Sequence, residues 1–287
     1  MKNLYRIIFF IVVSYSLFAA SIVSAQTEAK KIRIGVEGAY PPFSYMGADG
    51  KLMGFDIDIA NALCKEMKAD CALVQQDFDG MIPGLLSRKI DAVIASMSIT
   101  EERKRSVEFS DKYYQTPGRF VAKAGNALAV TAEGLAGKRI GVQRTTIHDR
   151  FATATFTKSE IVRYTKQDEV FLDLTAGRLD GAVVDSVAAA QGFLKTPGGK
   201  GYAFSGPSFN DPKFFGVGAG IAVRKADTEL RDQLNAAIKG IRANGVYKKI
   251  QNKYFEFDVY AEAGPVVVAT PATPATAALP AAPMKKK

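Results

Sequence analysis

Residues 90–105 read IDAVIASMSITEERKR, and the change of character within this stretch decides the fold. Its first half, Ile90 to Ala95, is a short apolar run with branched side chains, the pattern of a buried strand. From Thr100 onward it is charged and helix-forming, and the Ser96–Thr100 segment between the two is small and mostly polar. Ser98 and Glu101 have the spacing of a capping box, which predicts a helix starting near residue 100. A strand that runs straight into a helix N-terminus gathers unpaired backbone N–H groups at one point, and that point attracts anions. Arg103 lies one turn inside and offers a two-pronged guanidinium to a planar carboxylate. The stretch therefore predicts an α/β unit with a carboxylate pocket at its strand-to-helix turn. The alternative is a surface helix whose arginine is solvated.

Working outward, the chain repeats itself. Arg33-Ile34-Gly35-Val36-Glu37 returns as Arg139-Ile140-Gly141-Val142-Gln143, and residues 85–96 (LLSRKIDAVIAS) return as 174–185 (LTAGRLDGAVVD). Both matches keep the same order, so a duplication explains them better than the general likeness of amphipathic α/β units. The expectation is two similar α/β lobes, each a mostly parallel sheet flanked by helices. Glu37 and Gln143 then fall at equivalent strand ends, as do Ser96 and Asp185. In open α/β sheets ligands bind beyond the carboxyl ends of the strands, so facing lobes bring all four positions to one cleft. Asp185 follows Ala182-Val183-Val184 and is costly to bury without a cation. A ligand ammonium suits it; the alternative is a salt bridge to a nearby basic residue.

The ends of the chain differ from its body. Lys2 and Arg6 precede an apolar run from Ile7 to about Ala20, and Val23-Ser24-Ala25 supplies small residues for cleavage, the pattern of a secretory signal peptide over residues 1–25. Export into an oxidising compartment makes the only two cysteines, Cys64 and Cys71, a disulfide. Two thiols and a single histidine, His148, are too few for a metal site. The formal net charge is +9, but Lys2 and Arg6 leave with the leader, and Lys285, Lys286 and Lys287 end the chain. The body is only mildly basic and has no basic run interleaved with aromatics, which disfavours nucleic acid. Residues 261–287 are dominated by Ala, Pro, Thr and Val, a composition that cannot bury a core and reads as a disordered tail.

Longer motifs carry a more specific message: GFDIDIANALC (54–64), DFDGMIPGLLSRKIDA (77–92), SMSITEERKRSVEFSDKYY (96–114), DLTAGRLDGAVVDS (173–186), FSGPS (204–208) and RKADTEL (224–230). From about Lys31 to Tyr260 the chain resembles the periplasmic solute-binding proteins for polar amino acids, in particular the lysine/arginine/ornithine- and histidine-binding branch of ABC-transporter receptors. The resemblance implies a two-lobed periplasmic-binding-protein fold joined by two crossover segments, with residues 31–115 and 216–260 in lobe 1 and 119–211 in lobe 2. It implies that Arg103 grips an α-carboxylate with Ser98 and the N–H groups of the Thr146–Ile147 loop. Asp185 and Ser96 take the α-ammonium, Tyr40 and Phe78 sandwich the side chain, and Glu37 and His148 line the far end with Asp56 behind. Met97 and Gln143 complete the expected ligand-binding set. Glu37 stands where the branch usually has aspartate, Ala95 and Thr146 where serine is common, and His148 where glutamine is common, so side-chain selectivity is less defined than the backbone roles.

The implied ligand is arginine first, then lysine or ornithine, then histidine or a larger arginine conjugate such as an opine. The implied partner is an inner-membrane ABC permease, with no cofactor, a monomeric chain and a periplasmic location. The rival class is a dehydratase-like periplasmic enzyme on the same scaffold. Against it, His148 has no evident serine or cysteine partner in sequence, and both cysteines are already committed.

Overall fold

A computed structural model of the chain describes residues 31–126 and 128–261. The expected leader and the tail from residue 262 onward lie outside the described residues. Thirteen strands are described: β1 (Lys31–Val36), β2 (Ala39–Tyr40), β3 (Ser44–Met46), β4 (Leu52–Met53), β5 (Asp70–Gln75), β6 (Ala92–Val93), β7 (Val107–Tyr114), β8 (Gly118–Lys123), β9 (Arg139–Gln143), β10 (Glu160–Tyr164), β11 (Gly181–Asp185), β12 (Tyr202–Phe209) and β13 (Ala219–Arg224). They form two five-stranded sheets, ordered β5-β1-β6-β13-β7 and β10-β9-β11-β8-β12, and a small β2-β3-β4 sheet. In each large sheet one strand runs against its neighbours, β13 in the first and β8 in the second. Each is the strand that a crossover delivers, through residues 115–117 into β8 and residues 210–218 into β13. The fold is thus α/β and two-lobed.

The duplication read from the sequence is a duplication of strand register. Ile34 pairs with Ala92 and Gly35 with Val93, while Ile140 pairs with Gly181 and Gly141 with Ala182, which is how the two repeats align. Side-chain packing repeats too. A Cβ on Gly35 would lie 2.5 Å from Ile90 Cδ1, and one on Gly141 would lie 2.4 Å from Leu179 Cδ1. The missing side chains make room for Ile90 and Leu179, each two residues before an inner strand. The N–H of Arg33 donates to Asp91 (3.1 Å) and that of Arg139 to Asp180 (2.9 Å), locking both strand entries alike.

The stretch 90–105 departs from its expected details. Only Ala92–Val93 is strand, although Ile94 N–H still donates to Gly35 O (2.9 Å). The helix begins at Glu101 and is a single turn, capped by Thr100, whose hydroxyl accepts from Arg103 N–H (3.3 Å). Ser98 is not the cap, because its backbone pairs instead with Ala219. That pairing ties the Ser96–Thr100 loop to the second crossover. The tie is tight: Gly216 has φ +67°, and a Cβ there would meet Ile99 O at 1.9 Å.

Two features stiffen the first lobe. The Cys64–Cys71 disulfide joins the helix Phe55–Glu66 to β5. It closes a short loop, so removing it with a Cys64→Ala/Cys71→Ala pair is expected to cost about 2–3 kcal/mol in denaturant unfolding, with ligand affinity unchanged. Behind the cleft, Phe43 stacks on Tyr114 (4.7 Å between ring centres), and Phe55 meets Phe255 edge-on (5.0 Å). Tyr40 stacks on Phe43 in turn (5.8 Å). Buried aromatic pairs of this kind contribute beyond their area, so Tyr40 is held from behind by packed rings.

Candidate functional site

A cavity of about 370 Å³ lies between the lobes at the carboxyl ends of β1, β6 and β11. Glu37, Tyr40, Phe78, Ser96, Ser98, Arg103, Thr146, Ile147, His148 and Asp185 line it together, with Ala95 in the same wall. Asp56, Met97 and Gln143 do not line it: Asp56 was expected behind the wall, whereas Met97 and Gln143 were expected to reach the ligand. Asp56 is wholly buried, accepting from Ser96 Oγ (2.9 Å) and from the Tyr113 hydroxyl (3.0 Å). Met97 packs into the core beneath the loop. Gln143 stands behind Glu37, donating from Nε2 to Glu37 Oε1 (2.7 Å) and to Thr165 O (3.2 Å).

The positive end of the cavity is built on Arg103. Its Nη1 donates to Ser98 O (2.9 Å) and its Nη2 to Thr145 O on the other lobe (3.3 Å), while its guanidinium sits 5.4 Å from the Phe78 ring centre. No carboxylate pairs with it among the described residues. Desolvation, helped by the charge of Arg150, lowers its pKa to about 10. Across the cleft the helix Ile147–Thr155 starts at the same place, capped by Thr146. The N–H groups of Ile147 and His148 open that helix and have no intrahelical acceptor. A guanidinium fork and a helix N-terminus thus converge on one point, which is where an anion is stabilised.

The acids that line the cavity have no salt-bridge partner among the described residues. Asp185 is 6% exposed. It accepts at Oδ1 from Val187 N–H (2.8 Å) and Ala188 N–H (2.9 Å), and at Oδ2 from the Thr116 hydroxyl. Burial pushes its pKa up to about 6 against those hydrogen bonds. Ser96 sits beside it in the left-handed region (φ +53°), where a non-glycine residue needs support. The support is the Tyr113 hydroxyl, which accepts from Ser96 N–H (3.1 Å), and Asp56, which accepts from its hydroxyl. With its proton so used, Ser96 Oγ presents lone pairs only. Glu37, 4% exposed, is raised to about 8 by desolvation; Gln143 opposes this, and the charges of Asp56, Asp77 and Asp168 add to it.

His148 lines the same cavity. Its ring lies edge-on to Phe215 (5.9 Å), and after desolvation the largest influence on it is the charge of Arg103; together they lower its pKa to about 3. The sequence also gave no hint of several wall residues. Thr116 and Pro117 come from the first crossover, and Asp211, Pro212 and Phe215 from the second. Their segments are turn-rich and have no periodicity to place them.

The lobes are closed on each other. Besides Gln143–Glu37 and Arg103–Thr145, two ion pairs cross the rim, Arg144 to Asp79 (2.7 Å) and Arg150 to Glu102 (2.5 Å). Half-exposed pairs are each worth about 0.2–1 kcal/mol. An Asp79→Asn/Glu102→Gln variant is therefore expected to release ligand several-fold faster and to lose salt dependence in the release rate, as stopped-flow fluorescence will show.

Comparison with known proteins agrees with this geometry. The chain is 57% identical to the L-arginine-binding protein of Pseudomonas aeruginosa over 84% of its own length and 95% of the other. It is 44% identical to the lysine/arginine/ornithine-binding periplasmic protein of Escherichia coli, over 85% of this chain and 94% of that one. A solved periplasmic binding protein of Salmonella typhimurium, described for its high arginine specificity, matches with a TM-score of 0.73 at 36% identity, over 79% of this chain and 100% of the other. The sequence model of the bacterial extracellular solute-binding proteins, family 3, matches residues 32–257, and the chain belongs to that family.

Proposed function

We propose that the protein is the periplasmic receptor of an amino-acid ABC transporter and holds a basic L-amino acid between its lobes, arginine first, then lysine or ornithine. One observation carries this: an unpaired guanidinium at one end of a closed cavity, and unpaired buried acids elsewhere in its wall. A zwitterion with a cationic tail neutralises all of them at once. Its α-carboxylate meets Arg103 and the helix start at Ile147, its α-ammonium meets Asp185 and Ser96, and its side chain runs between Tyr40 and Phe78 to Glu37. Cations over aromatic faces gain about 0.5–2 kcal/mol, more as water is excluded. The leader and the disulfide support a periplasmic site, and the closed lobes are the form that an inner-membrane permease would receive.

The protein holds its ligand rather than converting it. Glu37 and Asp185 each suit a cation, and no hydroxyl or thiol hydrogen-bonds the His148 ring among the described residues. The test is a thermal-shift screen over the amino acids, followed by recovery of unchanged ligand. A ligand at a hundred times its Kd adds about 2.7 kcal/mol to stability, or roughly 5–10 °C in Tm for a chain of this size. Arginine is expected to give the largest shift. A screen in which no basic amino acid raises Tm overturns the reading.

A further inference from the structure

We propose that His148 is a further recognition residue of this cavity, donating a ring N–H to the α-carboxylate of the bound amino acid alongside Arg103; the inference rests on the amino-acid reading above. His148 is 7% exposed and lines the cavity, yet neither ring nitrogen has a hydrogen-bond partner among the described residues. Neither nitrogen is among the buried side-chain atoms left without a partner, so both stay open to solvent, where a ligand can bond them in place of water. Packing accounts for the carbon edge of the ring only. Phe215 meets it at an interplanar angle of 66°, and a Cβ on Gly118 would lie 3.4 Å from Cδ2. Nothing in that packing needs an imidazole, and a phenyl ring would fill the space as well. The nitrogens are therefore the part left for a ligand.

The surroundings say which part of a ligand. His148 is the second residue of the helix Ile147–Thr155, so its ring shares the corner where the helix opens toward Arg103. Burial and the nearby guanidinium keep the ring neutral. A neutral imidazole carries one N–H donor, and a donor among other donors serves an anion. At this corner a carboxylate would receive the Arg103 fork, the N–H groups of Ile147 and His148, and the His148 ring N–H. A neutral donor adds a bond there without adding a second like charge beside Arg103.

The experiment exploits the single histidine of the chain. In full-length protein labelled with 15N at histidine, the imidazole signals report this ring alone. Saturating arginine is expected to fix one tautomer and to move the protonated nitrogen to a hydrogen-bonded shift. Argininamide, which lacks the carboxylate, is expected to leave the signals near their free positions. His148→Phe keeps the ring volume and loses the donor, so arginine affinity should fall roughly tenfold or more with the unliganded Tm unchanged. His148→Gln, which keeps a donor, should recover most of that loss. The inference is overturned if the imidazole signals stay still at an arginine concentration that raises Tm, or if the Phe variant binds arginine like the parent. If arginine fails to raise Tm in the parent protein, the amino-acid reading itself falls, and this inference with it.

Discussion

Arg103→Ala is expected to abolish amino-acid binding, leaving no measurable heat in calorimetry with arginine, while the melting temperature of the unliganded protein stays within a few degrees of the parent. The guanidinium contributes little to the fold that its neighbours do not already supply. It donates to two carbonyls, Ser98 O and Thr145 O, and lies against Phe78. What it supplies is an uncompensated charge, half-buried and facing the cavity. Truncating one partner of a desolvated charge pair costs about 2–5 kcal/mol, so affinity should fall by two to three decades or more. Arg103→Lys tests geometry separately from charge. A lysine keeps the charge but not the fork, so it should recover only a part of the loss. Retention of near-parental affinity by the alanine variant would remove Arg103 from the carboxylate role.

Glu37→Gln is expected to weaken arginine by two decades or so and glutamine hardly at all, because the substitution removes a charge while keeping shape. The same residue carries a pH signature. Its folded-state pKa of about 8 lies above its ordinary 4.5, so between those values the unliganded native state holds a proton that the unfolded chain has lost. Stability of the unliganded protein should therefore fall as pH rises through that window. The Gln variant should lose the share that Glu37 carries, most visibly above pH 7, while Asp185 and Asp56, raised to about 6 and about 7, keep a slope below it. A bound cation lowers the pKa of Glu37 again, so arginine binding near pH 7 should release a proton and tighten as pH rises toward 8. Calorimetry in two buffers of different ionisation enthalpy counts that proton. Equal losses for arginine and glutamine, with no proton released, would take Glu37 out of the selectivity argument.

The parts of the molecule that repeat were legible in the sequence, because a duplicated strand keeps both its apolar pattern and its end residue. That is why the repeat alone brings Glu37, Ser96 and Asp185 to one cleft, whose wall they share. Arg103 was legible because a strand-to-helix turn followed by arginine has a physical use. Asp56 was expected behind Glu37, but its partners were not legible, because an acid in the first turn of a helix looks the same whether it backs another acid or, as here, holds a strained serine from behind. Gln143 has a similar history, matching Glu37 in the repeat but serving it as a hydrogen-bond donor. The walls supplied by the crossovers were hidden because nothing local in Gln115–Pro117 or in residues 210–218 encodes which cavity they border. That is decided by pairings more than a hundred residues apart, such as Val93 with Ala222.

The placement of β13 between β6 and β7 has a consequence for how the molecule comes into being. A nascent chain emerging N-terminus first has every strand of the second sheet once Phe209 has appeared, since β8 to β12 are contiguous. The first sheet, begun earlier, stays gapped until Ala219–Arg224 arrives to fill it. The half that starts first finishes last, so a chain arrested before residue 219 carries one completed half and one with a missing rib.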